Sequence, residues 1–205
     1  MKAAVLASAE QWNALTNNTA GIQWVKATLP FSFAEYKNAD AFFILQTVDA
    51  IDYSQTARPV FLNSVTATLK EMNTPVNVLR INGWNTFLQR QLWEVAGAMT
   101  DEGKSVIQKI NRNFVTTADE PGLIAARIIA MIINEAFFAL GDKVSDMDAI
   151  DTAMKLGTNY PYGPFEWSAK IGLPHIYELL KKLSTTDKRY LPAPALEKEI
   201  YLTPQ

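Results

Sequence analysis

The chain has no cysteine and a single histidine, His175. The first absence excludes disulfides, thiolate nucleophiles and Cys-ligated metals, and the second excludes a His-rich metal site. An excess of either charge is missing as well: 19 Lys and Arg stand against 21 Asp and Glu, a net charge of −2. That balance argues against a broad electrostatic footprint for nucleic acid or an acidic membrane. The longest apolar run, "LIAARIIAMII" at 123 to 133, is too short to span a bilayer and contains Arg127. The N-terminal "MKAAVLASAEQW" lacks a long apolar core and a convincing cleavage signal, so no secretory leader is expected and a cytoplasmic protein is the expectation. Glycine is absent from the start of the chain, where none precedes Gly21.

What is present is ordinary globular material: 205 residues, 48% hydrophobic and 20% charged, enough for one large domain or two small ones. Five short runs read as strands: "AAVLA" at 3 to 7, "IQWVKA" at 22 to 27, "AFFIL" at 41 to 45, "PVFLN" at 59 to 63 and "NVLRI" at 77 to 81. Helical stretches lie between them. "SAEQWNALTNN" offers Ser8 as a cap with Gln11 three residues on, and "NSVTATLKEM" offers Ser64 as a cap. Strands alternating with helices predict a doubly wound, mostly parallel α/β sheet covered on both faces.

Beyond residue 115 the strand signal stops and an all-α domain is expected. "EPGLIAARIIAMIINEAFFALGDK" places Pro121 near the start of an almost all-round apolar helix, which needs partners on every side. "VSDMDAIDTAMKLGTNY" offers Ser145 as a cap, Asp148 three on, and Gly157 as a stop. "PHIYELLKKLSTTDK" starts with Pro174 in its first turn, and "LPAPALEKEI" reads as an extended lead into a short helix. The expected domains are 1–115 and 116–205.

Several stretches of the second half share an order and spacing with one family. They are the Pro-Gly before the long helix, Asn134-Glu135-Ala136 within it, Ile150-Asp151 followed by Gly157, Tyr160-Pro161 with Gly163-Pro164, and then "IGLPHIYELL" and "RYLPAPALEKEI". Together they resemble the C-terminal domain of the 3-hydroxyacyl-CoA dehydrogenase family. The first half is similar, more weakly, to that family's nucleotide-binding domain, through "YKNADAFFIL", "VFLNSVTATL" and "INGWNTFLQRQLWEVAG". The resemblance implies a reduced Rossmann-like domain with at least one strand–helix unit missing.

The resemblance also implies a chemistry: hydride leaves for NAD while a His, oriented by a Glu, takes the hydroxyl proton. The Glu position falls on Glu94 and the His position on Asn82, whose amide cannot serve as a general base near neutral pH. The family's Asn after Pro-Gly falls on Ala126, and its Ser on or next to Ser64 and Val65. Where the family's G-x-G-x-x-G lets backbone approach a pyrophosphate, this chain reads "ASAEQWNAL", with Glu10 adding a negative charge. No cofactor is therefore expected, although the family uses NAD.

The resulting expectation is a dehydrogenase-like protein with impaired catalysis, a homodimeric ligand-binding or structural homologue. The alternative is an active oxidoreductase of the same type with an altered site, in fatty-acid metabolism. Expected partners are a second copy, bound through the C-terminal helical domain, and acyl-CoA or another small ligand. Neither nucleic acid nor membrane is expected. Blander readings stand beside these. Glu94 alone reads as a solvated carboxylate. A replacement base at His175 is disfavoured, because its helix-start position already accounts for it. Trp84, Phe87 and Trp93 read as core before acyl pocket. "YPYGPFEW" reads as a turn and packed helix contact, and the helix at 122 to 140 as a dimer interface marked by Ile129 and Ile133.

Overall fold

A computed structural model describes residues 1–17, 19–48 and 51–202. The chain divides into two compact units, Met1–Leu123 and Ile124–Gln205. The first is built on seven strands: β1 Lys2–Leu6, β2 Gln23–Lys26, β3 Ala41–Ile44, β4 Val60–Asn63, β5 Val78–Ile81, β6 Leu92–Ala96 and β7 Asn113–Thr117. Their order is β2-β1-β3-β4-β5-β6-β7, parallel throughout except for the antiparallel β5–β6 pair.

The first five strands fall on the five expected runs. β1 and β3 to β5 are mostly apolar and buried on both faces, as a central parallel strand requires, with Arg80 the buried charge among them. β6 and β7 were not expected as strands. β7 lies at the sheet edge and is mostly solvent-exposed, so "NFVTT" carries no apolar run to betray it.

The two faces of the sheet are covered differently. Ala3, Val5, Phe43, Phe61, Leu79 and Ile81 pack against α1 (Ala9–Thr16) and α2 (Asp101–Lys109) through Leu15, Val106 and Ile107. The alternate residues Ala4, Leu6, Phe42, Ile44 and Val60 face Phe33, Tyr36, Tyr53, Leu69 and Met72. These come from 3-10 turns at Phe33–Tyr36 and Tyr53–Gln55 and from turns after β4. Asn18, the last residue of the stretch read as the first helix, lies outside the described residues.

The helix expected after Ser64 does not form; residues 64–72 make turns instead. The Ser64 hydroxyl donates to Ala67 O at 2.8 Å rather than capping an N–H. Backbone groups that a helix would pair internally find partners elsewhere. Leu69 N and Lys70 N donate to the Asp119 carboxylate, and Arg80 donates to Ser64 O and Val65 O. Arg80, fully buried on β5, also forms an ion pair with Asp119. Burial pushes the Arg80 pKa down, opposed by Asp119. Burial pushes the Asp119 carboxyl up, but the Leu69 and Lys70 amides and the Arg80 guanidinium outweigh it and hold it below its ordinary value.

The second unit holds α3 Ala125–Gly141, α4 Met147–Thr158, α5 Pro164–Ile171, α6 Leu173–Ser184 and α7 Pro194–Leu202. Ile129 and Ile133 of α3 are buried within this unit, together with Ala126, Ala130 and Phe137. They are core residues and not the interface markers expected; the apolar residues α3 exposes are Ile128 and Phe138. Asn134, 1% exposed, donates to Leu191 O and accepts from Ala193 N, pinning the segment before α7. The cap of α4 is Asp146, not Ser145: its carboxylate accepts from Ala149 N at 2.8 Å. The helix continues past Gly157 and ends at Asn159, a left-handed residue with φ 57°. From α4, Asp151 accepts from Phe165 N and Glu166 N at the start of α5. A Cβ at Gly163 would lie 2.3 Å from the Asp151 Cγ, so glycine is required there. "YPYGPFEW" is thus a turn feeding a side-chain-capped helix. Among the described residues no helix is long and apolar enough to cross a membrane.

Candidate functional site

In an open α/β sheet, ligands bind beyond the carboxyl ends of the strands where the strand order reverses. Here β1 is flanked by β2 on one side and β3 on the other, so the reversal lies at β1–β3. The residues beyond these strand ends are Ala7 to Gln11 after β1, Leu45 after β3, Asn63 closing β4, and Asn82 and Gly83 after β5.

Hydrogen bonds close this crevice into a ring. Gln11, from the first turn of α1, donates through Nε2 to Leu45 O and to Gly83 O, each at 3.0 Å. Asn63 Nδ2 donates to the same Leu45 carbonyl at 3.0 Å, and Asn63 Oδ1 accepts from Gly83 N at 2.9 Å. The approach is tight: a Cβ at Gly83 would lie 2.6 Å from the Asn63 Cγ. At the mouth, Asn85 Nδ2 donates to Glu10 Oε2 at 2.9 Å.

A dinucleotide does not fit this arrangement. A pyrophosphate needs free N–H groups at the helix N-terminus and no side chains over them. In α1 the Ser8 hydroxyl accepts from Gln11 N and the Gln11 side chain accepts from Ser8 N, a reciprocal capping box that uses both amides. The Gln11 amide lies across the strand ends, and Glu10 supplies a carboxylate where phosphates would need cations or amides.

Of the four residues singled out from the sequence, two come together. Asn82 and Glu94 line one cavity of about 30 Å³, with Phe87, Arg90, Leu92 and Trp93. Glu94 is not fully solvated; it is half-buried in β6. Asn82 is buried, its Oδ1 accepting from Trp84 N at 3.2 Å. Ser64 does not line that cavity; its hydroxyl donates to Ala67 O in the turn after β4. Ala126 belongs to the other unit, fully buried in α3, and presents only a methyl group. His175 is an exposed residue at the start of α6. Trp84, Phe87 and Trp93 are all buried, with Trp93 Nε1 donating to Leu88 O, so they serve as core.

The sequence reading missed Gln11, Asn63 and Asn85 as site residues. Gln11 was legible only as a capping residue. The further signal was its length, since an amide on two methylenes at a helix start can reach a neighbouring strand end.

The sheet order and the closed crevice define a dinucleotide-fold protein whose binding crevice is filled from within. Comparison with known proteins narrows this. The C-terminal domain of 3-hydroxyacyl-CoA dehydrogenase matches residues 122–202. The chain is 42% identical over 106 residues to 3-hydroxyadipyl-CoA dehydrogenase of Escherichia coli K12, covering 51% of this chain and 21% of that protein. It is 31% identical over 145 residues to 3-hydroxybutyryl-CoA dehydrogenase of Bradyrhizobium diazoefficiens, covering 67% of this chain and 50% of that one. These matches span half or less of the relatives' lengths. The solved (S)-3-hydroxybutyryl-CoA dehydrogenase of Ralstonia eutropha shares the fold, with a TM-score of 0.67 at 21% identity over 88% of this chain and 70% of that one. The chain belongs to the 3-hydroxyacyl-CoA dehydrogenase family.

Proposed function

We propose that this chain is a 3-hydroxyacyl-CoA dehydrogenase-like protein that has lost dehydrogenase turnover and works as a homodimeric ligand-binding or structural homologue. The observation that carries this reading is Gln11, bonded to both Leu45 O and Gly83 O across the crevice. Two further features support it. Asn82 holds the expected base position with an amide, and Ala126 offers no polar atom. The helical unit supplies the surface for a second copy, since Ile128 and Phe138 of α3 are exposed and apolar. A small ligand such as acyl-CoA remains the candidate partner outside the nucleotide crevice.

The deficits differ in size. General-base assistance is worth ~10² to 10⁴-fold. Holding a nicotinamide aligned with its substrate supplies about 7 to 11 kcal/mol of the barrier. Restoring the base alone therefore leaves the larger deficit in place. Calorimetric titration with NADH should give no heat beyond dilution. A short-chain 3-hydroxyacyl-CoA with NAD should give no NADH, either with the wild type, with Asn82→His, or with Asn82→His plus Ala126→Asn. Saturable NADH binding in the micromolar range, or turnover above a heat-killed control, overturns the reading.

A further inference from the structure

Asn82 is followed by Gly83, the one Asn-Gly pair in the chain. Such a pair carries its own reaction. The nitrogen of the following residue attacks the asparagine side-chain carbonyl, and glycine, lacking a Cβ, hinders neither the attack nor the backbone turn that it needs. Here Gly83 N would give its proton to a solvent base and bond to Asn82 Cγ. The Cγ–Nδ2 bond would break, and Nδ2 would take up a proton and leave as ammonia, giving a cyclic imide. Water would then open the imide at either carbonyl, to an aspartyl residue or to an isoaspartyl residue whose chain runs through the side chain.

The structure sets the two halves of this reaction against each other. The electrophile is prepared: Trp84 N donates to Asn82 Oδ1 at 3.2 Å, so it polarises the carbonyl and faces the oxygen on which charge would develop. The nucleophile is withheld. The Gly83 N proton is directed at Asn63 Oδ1, 2.9 Å away, and Gly83 is buried. An amide oxygen is too weak a base to take that proton. Asn63 is itself fixed, because its Nδ2 donates to Leu45 O at 3.0 Å. Gly83 is held from its other side as well, where its carbonyl accepts from Gln11 Nε2 at 3.0 Å, so it cannot turn freely toward Asn82 Cγ.

We propose that Asn82-Gly83 is a latent deamidation site, and that Asn63 keeps it unreactive by occupying the Gly83 N–H. The reaction needs only the first unit and is independent of whether the protein turns over a substrate. Its aspartyl product would place a second carboxylate in the cavity that Glu94 lines, and its isoaspartyl product would lengthen the backbone by a methylene. Peptide mapping by mass spectrometry, on the full chain incubated at mildly alkaline pH, follows the mass gain of amide to acid at residue 82. Folded wild type should stay amidated while the same chain unfolded in urea converts. Folded Asn63→Ala should convert at least about tenfold faster than folded wild type, since losing the acceptor lets Gly83 N open locally. Thr100→Ala is the control: it removes the cap of α2 in the same unit without touching Gly83, and should convert near the wild-type rate. Asn63→Ala converting no faster than Thr100→Ala, or folded wild type converting as fast as the unfolded chain, overturns the proposal. Should Asn63→Ala fail to fold, hydrogen exchange of the Gly83 amide in the wild type decides: strong protection supports the lock, and exchange at the rate of an unstructured peptide refutes it.

Discussion

The two units keep their buried polar groups for the same purpose by different routes. In the helical unit, Asp151 caps α5 and Asn134 holds the segment from 191 to 193, and both lie inside the stretch that matches the family domain. In the sheet unit, the comparable work falls to Gln11, Asn63, Arg80 and Asp119. There the polar atoms tie together the strand ends, and the turns where a covering helix was expected. A family likeness therefore lasts longest where side chains fix backbone geometry.

The sharpest way to break this comparison is to cut one clamp in each unit. Arg80→Met in the sheet unit should cost about 3 kcal/mol, because it takes the guanidinium from Asp119 and leaves Ser64 O, Val65 O and Glu120 O without their donor. Denaturant unfolding measures it; a loss below about 1 kcal/mol would mean that the turns after β4 stand without the clamp. The pair also has a pH signature. Asp119 is held below its ordinary pKa in the fold, so its contribution is present above the free carboxylate value and is lost as pH falls through the lower, folded value. Asp119→Asn should flatten that acid limb of the stability profile.

Asp151→Ala in the helical unit should cost less, about 1 to 2 kcal/mol, since it removes acceptors for two amides at one helix start. Circular dichroism with thermal melting reads it. A cost equal to that of Arg80→Met would erase the distinction between a cap and a buried ion pair.

The smallest effect on stability should come from Ile128→Asp, at a residue 54% exposed on α3. Its effect should appear in assembly: sedimentation should move from dimer to monomer with the Tm within a few degrees of wild type. Ile129→Asp, by contrast, should unfold the helical unit, because Ile129 is 7% exposed. A wild type that sediments as a monomer at micromolar concentration removes the dimer from the proposal.

How far the fold could be read from sequence followed how local its causes were. β1, β3, β4 and β5 were legible because burial on both faces writes a short, mostly apolar run, interrupted in β5 by Arg80. β7 was not, since an edge strand exposed to solvent needs no such run. The helix predicted after Ser64 failed because Asp119, some fifty residues on, takes the amides of Leu69 and Lys70. No local pattern announces that partner. In the site, Asn82 and Glu94, the two positions named by the family resemblance, line one cavity. The ring around Gln11 stayed hidden, since a capping glutamine looks the same whether its amide ends in water or on a neighbouring strand.

That ring resists change one residue at a time. Gln11→Gly would clear the crevice but leave the Gly83 carbonyl without the donor it now has. Changing Asn63 would free space beside Gly83 while removing the acceptor of the Gly83 amide. Any side chain added at Gly83 meets Asn63 at once. Each single change toward an open crevice thus leaves a less satisfied backbone, and only coordinated changes at several positions avoid it. Two side-chain amides, those of Gln11 and Asn63, and the Gly83 peptide between them lock one another, so the crevice opens only by concerted substitution.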